Sequence, residues 1–252
     1  MQQPRARTGR RTGVVAGART RRLPRLVGLV LAAFVLVEAV LIGLGLLVTR
    51  GLDDTALHGA EVEAARALVE SRTPAWNGVT AWGSVLGATG TVIALTAVGC
   101  VLLAWRGHGP RLPTFLALAV AGETALFLLA ALVVDRDRPA VPQLDAAPPT
   151  DSFPSGHTAA TVALWCGLAL GLARTRPGHR MTVVAWSLAG VLGAFVMASR
   201  LYRGMHWPTD VAASVVFSLL WLVLLRAILL PPGQRRAGSA EEPPRAPGPA
   251  TG

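Results

Sequence analysis

Residues 152–173 read SFPSGHTAATVALWCGLALGLA, and this stretch decides the fold. It opens on a polar, turn-forming hexapeptide, Ser152 to His157, and continues as an uncharged, largely apolar run over 158–173. Such a run suits either a deeply buried helix or a membrane span, and the rest of the chain chooses between them. Five more largely apolar runs occupy 26–48, 85–105, 115–134, 181–198 and 211–230, three of them carrying a single charged residue. A bilayer core about 30 Å thick takes about 20 apolar residues as helix. Six spans are therefore expected, with 158–173 and 181–198 the shortest. The 252 residues are 52% hydrophobic and the mean hydropathy is +0.49, which excludes an ordinary soluble domain. The expected class is all-α, a six-transmembrane-helix bundle forming one domain over 26–230. A basic arm, 1–25, and a Pro-, Gly-, Ala- and Arg-rich tail, 231–252, are expected to be disordered. The first run exceeds the apolar core of a signal peptide and no A-x-A site follows it, so it reads as a retained helix.

Charge sets the expected orientation. The net charge is +10, and all 24 basic residues are Arg. They crowd the N-terminal arm, the loops after the second and fourth runs, and the tail. Alternating spans put these on one face, which the positive-inside rule makes cytoplasmic, with both termini there. The opposite, external face collects Asp53, Asp54, Glu61, Asp145, Asp151 and Asp210 among other acids. A multi-pass plasma-membrane protein in contact with anionic lipid follows, and nucleic-acid binding is excluded. Cys100 and Cys166 lie inside apolar runs and offer no disulfide framework. The external segment 51–84 holds one amphipathic stretch, 61–71, with Val62, Ala65, Leu68 and Val69 as its apolar face. It is expected at the membrane interface or over the external mouth. Glu38 and Glu123 stand within spans and are read as structural. Glu123 counts about four turns before Arg138, too deep to touch a phosphate. Trp82, Trp105 and Trp207 suit interfacial anchoring.

Three polar clusters border the runs on the external face: Arg136-Asp137-Arg138-Pro139, Ser152 to His157, and Ser199-Arg200 with His206 and Asp210. Their chemistry suits a phosphate. Arg138 and Arg200 offer planar, permanently charged forks. Ser155 and Gly156 stand at a helix start, where free N–H groups and the dipole favour an anion. His157 is placed to serve as general acid. Pro208 marks a helix start, so Asp210 falls in its first turn and can reach back to His206, fixing the tautomer and freeing the other nitrogen to attack. Zinc binding by His206, Asp210 and His157 is disfavoured by the two nearby guanidiniums. Arg203 reads as a solvated or headgroup-facing charge, and His58, His108 and His179 as loop residues.

Arg138-Pro139, Pro154-Ser155-Gly156-His157, and Ser199-Arg200 through His206 to Asp210 resemble the three signature motifs of the type 2 phosphatidic acid phosphatase superfamily. That superfamily includes lipid phosphate phosphatases, undecaprenyl pyrophosphate phosphatases and vanadium haloperoxidases. The resemblance covers roughly 85–230. It implies a six-helix membrane fold and metal-independent hydrolysis through a phosphohistidine, with no cofactor. It makes His206 the nucleophile, Asp210 its partner and His157 the acid, with Arg138, Ser155, Gly156 and Arg200 holding the phosphate. The family's first motif starts with Lys seven residues before the Arg, and here that position is Ala131. Arg136 is the nearest substitute cation. The expected substrate is a lipid phosphate or pyrophosphate, undecaprenyl pyrophosphate first, then phosphatidic acid, phosphatidylglycerol phosphate and diacylglycerol pyrophosphate. A non-catalytic lipid phosphate binder or transporter is the alternative, and a haloperoxidase is disfavoured by the spans. The sequence is silent on oligomeric state.

Overall fold

The computed structural model describes residues 12–52, 55–147, 149–175 and 178–231. These form eight α-helices, with no strand among the described residues: α1 (Thr12–Leu46), α2 (Ala56–Glu70), α3 (Pro74–Gly87), α4 (Thr89–Trp105), α5 (Arg111–Ala131), α6 (Gly156–Arg174), α7 (His179–Tyr202) and α8 (Pro208–Leu229). A π-helical turn, Leu47–Gly51, prolongs α1. Five helices are long and apolar enough to cross a membrane, and α3 with α4 makes a sixth span bent by 54°. The six apolar runs thus each lie on one span. Residues 232–252 of the expected tail and residues 1–11 of the arm lie outside the described residues, whereas α1 already runs from Thr12.

The second run is where sequence and structure part. The span was expected to begin at residue 85, but helix starts at Pro74. Thr73 accepts a hydrogen bond from the Trp76 N–H, and Pro74 occupies the first helical position. The helix then presents Gly83 and Gly87, four residues apart, to its neighbours. A Cβ on Gly83 would stand 2.4 Å from the Ser199 side chain, and one on Gly87 would stand 2.9 Å from that of His157. Small residues at this spacing let helix backbones approach closely in a membrane. α3 is thereby packed on α7 and α6, beside two of the polar clusters.

α6 is the hub, packed against α3, α4, α5, α7 and α8. Its buried face is made of Ala159, Ala163, Leu164, Gly167 and Ala169, residues small enough for five neighbours. On the far side of α5 and α8, α1 seals a core containing Val37, Leu41, Phe115, Leu126 and Phe217. Trp221 of α8 closes it, with its indole N–H donated to the Ala119 carbonyl at 3.1 Å. Charge within the spans is handled unevenly. The Glu38 carboxyl oxygens are buried and find no partner among the described residues. Trp82 and Trp105 are exposed on the helix surfaces, as expected of anchors, but Trp207 is buried.

Candidate active site

The site is assembled at one end of the bundle, where the long 132–155 loop and the short turn between α7 and α8 meet the first turn of α6. The turn between α7 and α8 needs glycine: Gly204 has φ +72°, and a Cβ there would stand 2.9 Å from Val141. Pro208 then starts α8, and Asp210 in its first turn takes the Trp207 N–H at 2.9 Å. The second oxygen pair of contacts fixes this carboxylate completely. Ser152 Oγ donates to Oδ2 at 2.5 Å, and the Arg136 guanidinium donates to Oδ1.

His206 is oriented by the backbone rather than by Asp210 directly. Its Nδ1 lies 2.7 Å from the Ser152 carbonyl oxygen and 3.8 Å from Asp210 Oδ2. A carbonyl only accepts, so Nδ1 carries the proton and Nε2 keeps a free lone pair. Burial pushes the His206 pKa below its ordinary value, against the opposing pull of Asp210. The ring is therefore neutral at neutral pH, the form in which Nε2 is nucleophilic.

His206 opens on a cavity of about 710 Å³ shared with His157, Arg138, Arg200 and Gly156. Arg138 is braced by backbone carbonyls, Nη1 to Met205 at 2.6 Å and Nη2 to Thr150 and Asp151 at 3.0 and 3.1 Å. Burial, and then the charge of Arg200, lower its pKa. Two guanidiniums that repel across a cavity are a site that an anion would relax. Arg200 Nη1 donates to Ser84 Oγ and to Asp145 Oδ2, both at 2.6 Å, while its Nε is buried with no partner among the described residues. Asp145 also accepts from Arg203 Nη2 at 2.6 Å. Burial would raise the Asp145 pKa, but hydrogen bonds from Arg203, Ser84 and Arg200 hold it well below the usual carboxylate range. The first turn of α6 has no side-chain cap, so its N–H groups stay available beside Gly156.

The structure redistributes several expected site residues. Five of them, Arg138, Gly156, His157, Arg200 and His206, line the cavity. Asp210 lies behind His206, fully buried. Ser155 is also fully buried and turned to the protein. Its N–H goes to Ser214 Oγ at 2.8 Å, and its hydroxyl pairs with Thr158 at 3.0 Å. Arg136 does not replace the missing lysine at Ala131 in the cavity wall. Its fork is occupied by Asp210, by Thr209 Oγ1 at 2.8 Å and by Glu61 Oε2 at 2.9 Å. Arg203, expected to be solvated, is instead buried. It donates to Asn77 O, Thr80 Oγ1, Leu144 O and Asp145, because the 132–155 loop folds its acid down onto α7.

Other contributors were not foreseen. Glu61, read only as one of the external-face acids, is buried against the start of α8. Its Oε1 accepts from Thr209 N at 2.8 Å and Thr209 Oγ1 at 2.7 Å. Glu123 lines the same cavity as His206. The count of four turns to Arg138 assumed continuous helix, whereas α5 stops at Ala131 and the loop folds back. Phe127 of α5 packs on Gly156, the first residue of α6. Glu123 is one turn below Phe127, about 6 Å along the helix, and Arg226 of α8 is exposed. The cavity walls beyond Glu123 are apolar, with Val92, Ile93 and Val120.

The chain is 39% identical over 92 residues to phosphatidylglycerophosphatase B of Escherichia coli K12 and of Shigella flexneri, a stretch covering 36% of this chain. It spans only about a third of the length of these curated relatives, 33%. The fold is that of the PAP2-type phosphatidylglycerolphosphate phosphatase of Bacillus subtilis, with a TM-score of 0.66 and 23% identity over 80% of this chain and 94% of that one. LpxE of Aquifex aeolicus superposes with a TM-score of 0.54 and 21% identity over 69% of this chain and 97% of that one. The family model described as the PAP2 superfamily matches residues 86–231, more than half of the chain, and the chain belongs to that superfamily.

Proposed function

We propose that this protein is an integral-membrane phosphatase that removes a terminal phosphate from a glycerolipid through a phosphohistidine on His206. The observation that carries the reading is the neutral, carbonyl-locked His206 ring on a cavity that holds Arg138 and Arg200 at one end and apolar walls at the other. His206 Nε2 attacks phosphorus, and an N–P bond forms as the P–O bond to the lipid breaks. Protonated His157 gives its proton to the departing oxygen; the substrate phosphate supplies the negative charge that such a proton needs between Arg138, Arg200 and His206. The imidazolium formed keeps its Nδ1 proton on Ser152 O, with Asp210 as counter-charge. Water, deprotonated by His157, then attacks phosphorus, and the N–P bond breaks to release phosphate and neutral His206. No step draws on a metal. With the Arg-rich end cytoplasmic, the site faces outward.

Two features order the substrates. Arg138 and Arg200 share the cavity with Asp145 and Asp151, and Ala131 stands where a third cation was expected. That balance suits a phosphate monoester better than the higher charge of a pyrophosphate. Glu123 and Thr124 put polar atoms in the cavity about one turn under the phosphate end. A glycerol hydroxyl or ester can meet them, whereas a polyprenyl chain would leave them unpaired. Phosphatidylglycerol phosphate therefore moves ahead of undecaprenyl pyrophosphate, in keeping with the activity named for the relatives. The test is phosphate release in detergent with EDTA across these lipids, phosphatidic acid and diacylglycerol pyrophosphate. EDTA-resistant release, fastest from the glycerolipid monoesters, is expected. Faster release from undecaprenyl pyrophosphate would reverse the ranking. No release from any lipid by folded protein would sink the phosphatase reading and leave a binder or transporter.

A further inference from the structure

α2 lies outside the 86–231 family match, yet it supplies one end of a buried charge relay that finishes behind His206. Glu61 Oε2 holds Arg136 Nη2 at 2.9 Å, and Arg136 Nη1 holds Asp210 Oδ1. Glu61 is 4% exposed, Arg136 8% and Asp210 0%. The remaining Glu61 oxygen is used by Thr209 N and Oγ1, so the carboxylate has no slack. Two acids and one base leave this cluster a net charge of −1 beside the imidazole. An Arg136–Asp210 pair alone would be neutral, and Asp210 would then do little to stabilise a positive ring. We propose that Glu61 is a positioning residue of the phosphatase. Through Arg136 it preserves the negative charge of Asp210 toward His206 and so stabilises the imidazolium of the phosphohistidine.

The groups facing His206 are Asp210 on α8, His157 on α6, Arg200 on α7 and Arg138 in the loop, with Asp145 and Asp151 across the cavity. None of them is itself substituted when Glu61 or Arg136 is changed, so the relay can be tested by its charge. Glu61→Gln brings the cluster to zero and destabilises the protonated ring, moving the His206 titration down by about one pH unit. Arg136→Gln brings it to −2 and moves the titration up by a similar amount. The double variant restores −1 and brings it back. A tie that merely fastened α2 to α8 would be damaged by all three changes alike.

The inference rests on His206 being the nucleophile, so the measurement should include a readout that needs no turnover. His206 carbethoxylation by diethyl pyrocarbonate, followed by mass spectrometry against pH in full-length protein, reports the neutral ring. Release of phosphate from phosphatidylglycerol phosphate, run over the same pH series, reports catalysis. The expected pattern is a midpoint displaced down, up and back in the three variants. In Glu61→Gln, kcat should fall about tenfold with KM little changed, and the double variant should recover part of it. Midpoints identical to wild type in all variants would overturn the relay, as would activity losses that simply follow lowered thermal stability. Displaced midpoints in a protein that hydrolyses no lipid would keep the relay and reject the phosphatase reading.

Discussion

The two sides of the site are wired to opposite charge. On the His206 side, Glu61 and Asp210 surround one cation, Arg136, and every carboxylate oxygen has a partner. On the Arg200 side, one carboxylate, Asp145, is shared by Arg200 and Arg203, and the Nε atoms of both guanidiniums are buried without a partner among the described residues. The first side is net negative and fully satisfied, which suits holding a ring that becomes cationic. The second is net positive and under-satisfied, which suits receiving an anion. A buried unsatisfied donor costs about 1–3 kcal/mol, and Arg200, which lines the cavity, carries one, so the receiving side stores a preference for ligand. The nucleophile side carries no such deficit.

The largest effect should come from separating the two. His206→Ala removes the proposed attacking atom but leaves the receiving side intact. Phosphate release should fall at least about 10³-fold, while orthovanadate, added as a competing oxyanion, should still bind within a few fold of wild type. Loss of vanadate binding in parallel with activity would mean that the two sides are not independent. Next comes Arg200→Gln, which should act the other way. Charge-assisted hydrogen bonds of about 1.5–3 kcal/mol are lost, so KM should rise about ten- to a hundredfold with a smaller change in kcat. A pure kcat loss would place Arg200 in the chemistry rather than in binding.

This asymmetry was only half legible in the sequence. The apolar runs gave the spans because each lies on a helix, or in the second span a bent helix pair, that is long and apolar enough to cross a membrane. The motif residues gave the cavity-lining set because His157, Arg200 and His206 sit at run ends. What escaped was everything that depends on a loop changing direction. Counting turns from Glu123 to Arg138 assumed helix where α5 ends at Ala131, and so missed that Glu123 lines the cavity. Arg203 reads as a surface charge until that loop delivers Asp145 to it. Glu61 broke the amphipathic pattern of its helix, and a charge on the apolar stripe was the available signal. The Gly83 and Gly87 spacing, with Thr73-Pro74 ahead of it, could likewise have started the second span a full helix earlier.

That glycine pair offers a smaller, sharper cut. Gly87 lies against His157, and an added Cβ would also stand 3.1 Å from the His157 carbonyl oxygen, which is backbone and cannot swing away. Gly87→Ala should displace the start of α6 and with it His157, the proposed acid. Its kcat should fall about tenfold, since general acid catalysis contributes about 10²–10⁴ and only its alignment is disturbed. The His206 titration should not move. A shifted titration would show that α3 also couples to the nucleophile side.

The smallest effect is in the wild-type pH profile itself. An ordinary His loses its proton near pH 6.5, but burial lowers this value for His206. Protonation would silence the proposed nucleophile, so lowering the pKa extends activity toward acid. The acid limb of kcat/KM should therefore lie below pH 6.5. Asp145 cannot be the source of that limb, because Arg203, Ser84 and Arg200 keep it ionised to lower pH still. A limb at or above pH 6.5 would mean that the negative cluster behind Asp210 outweighs burial. In that case the charge on the nucleophile side, and not its dryness, would set the working range of the ring.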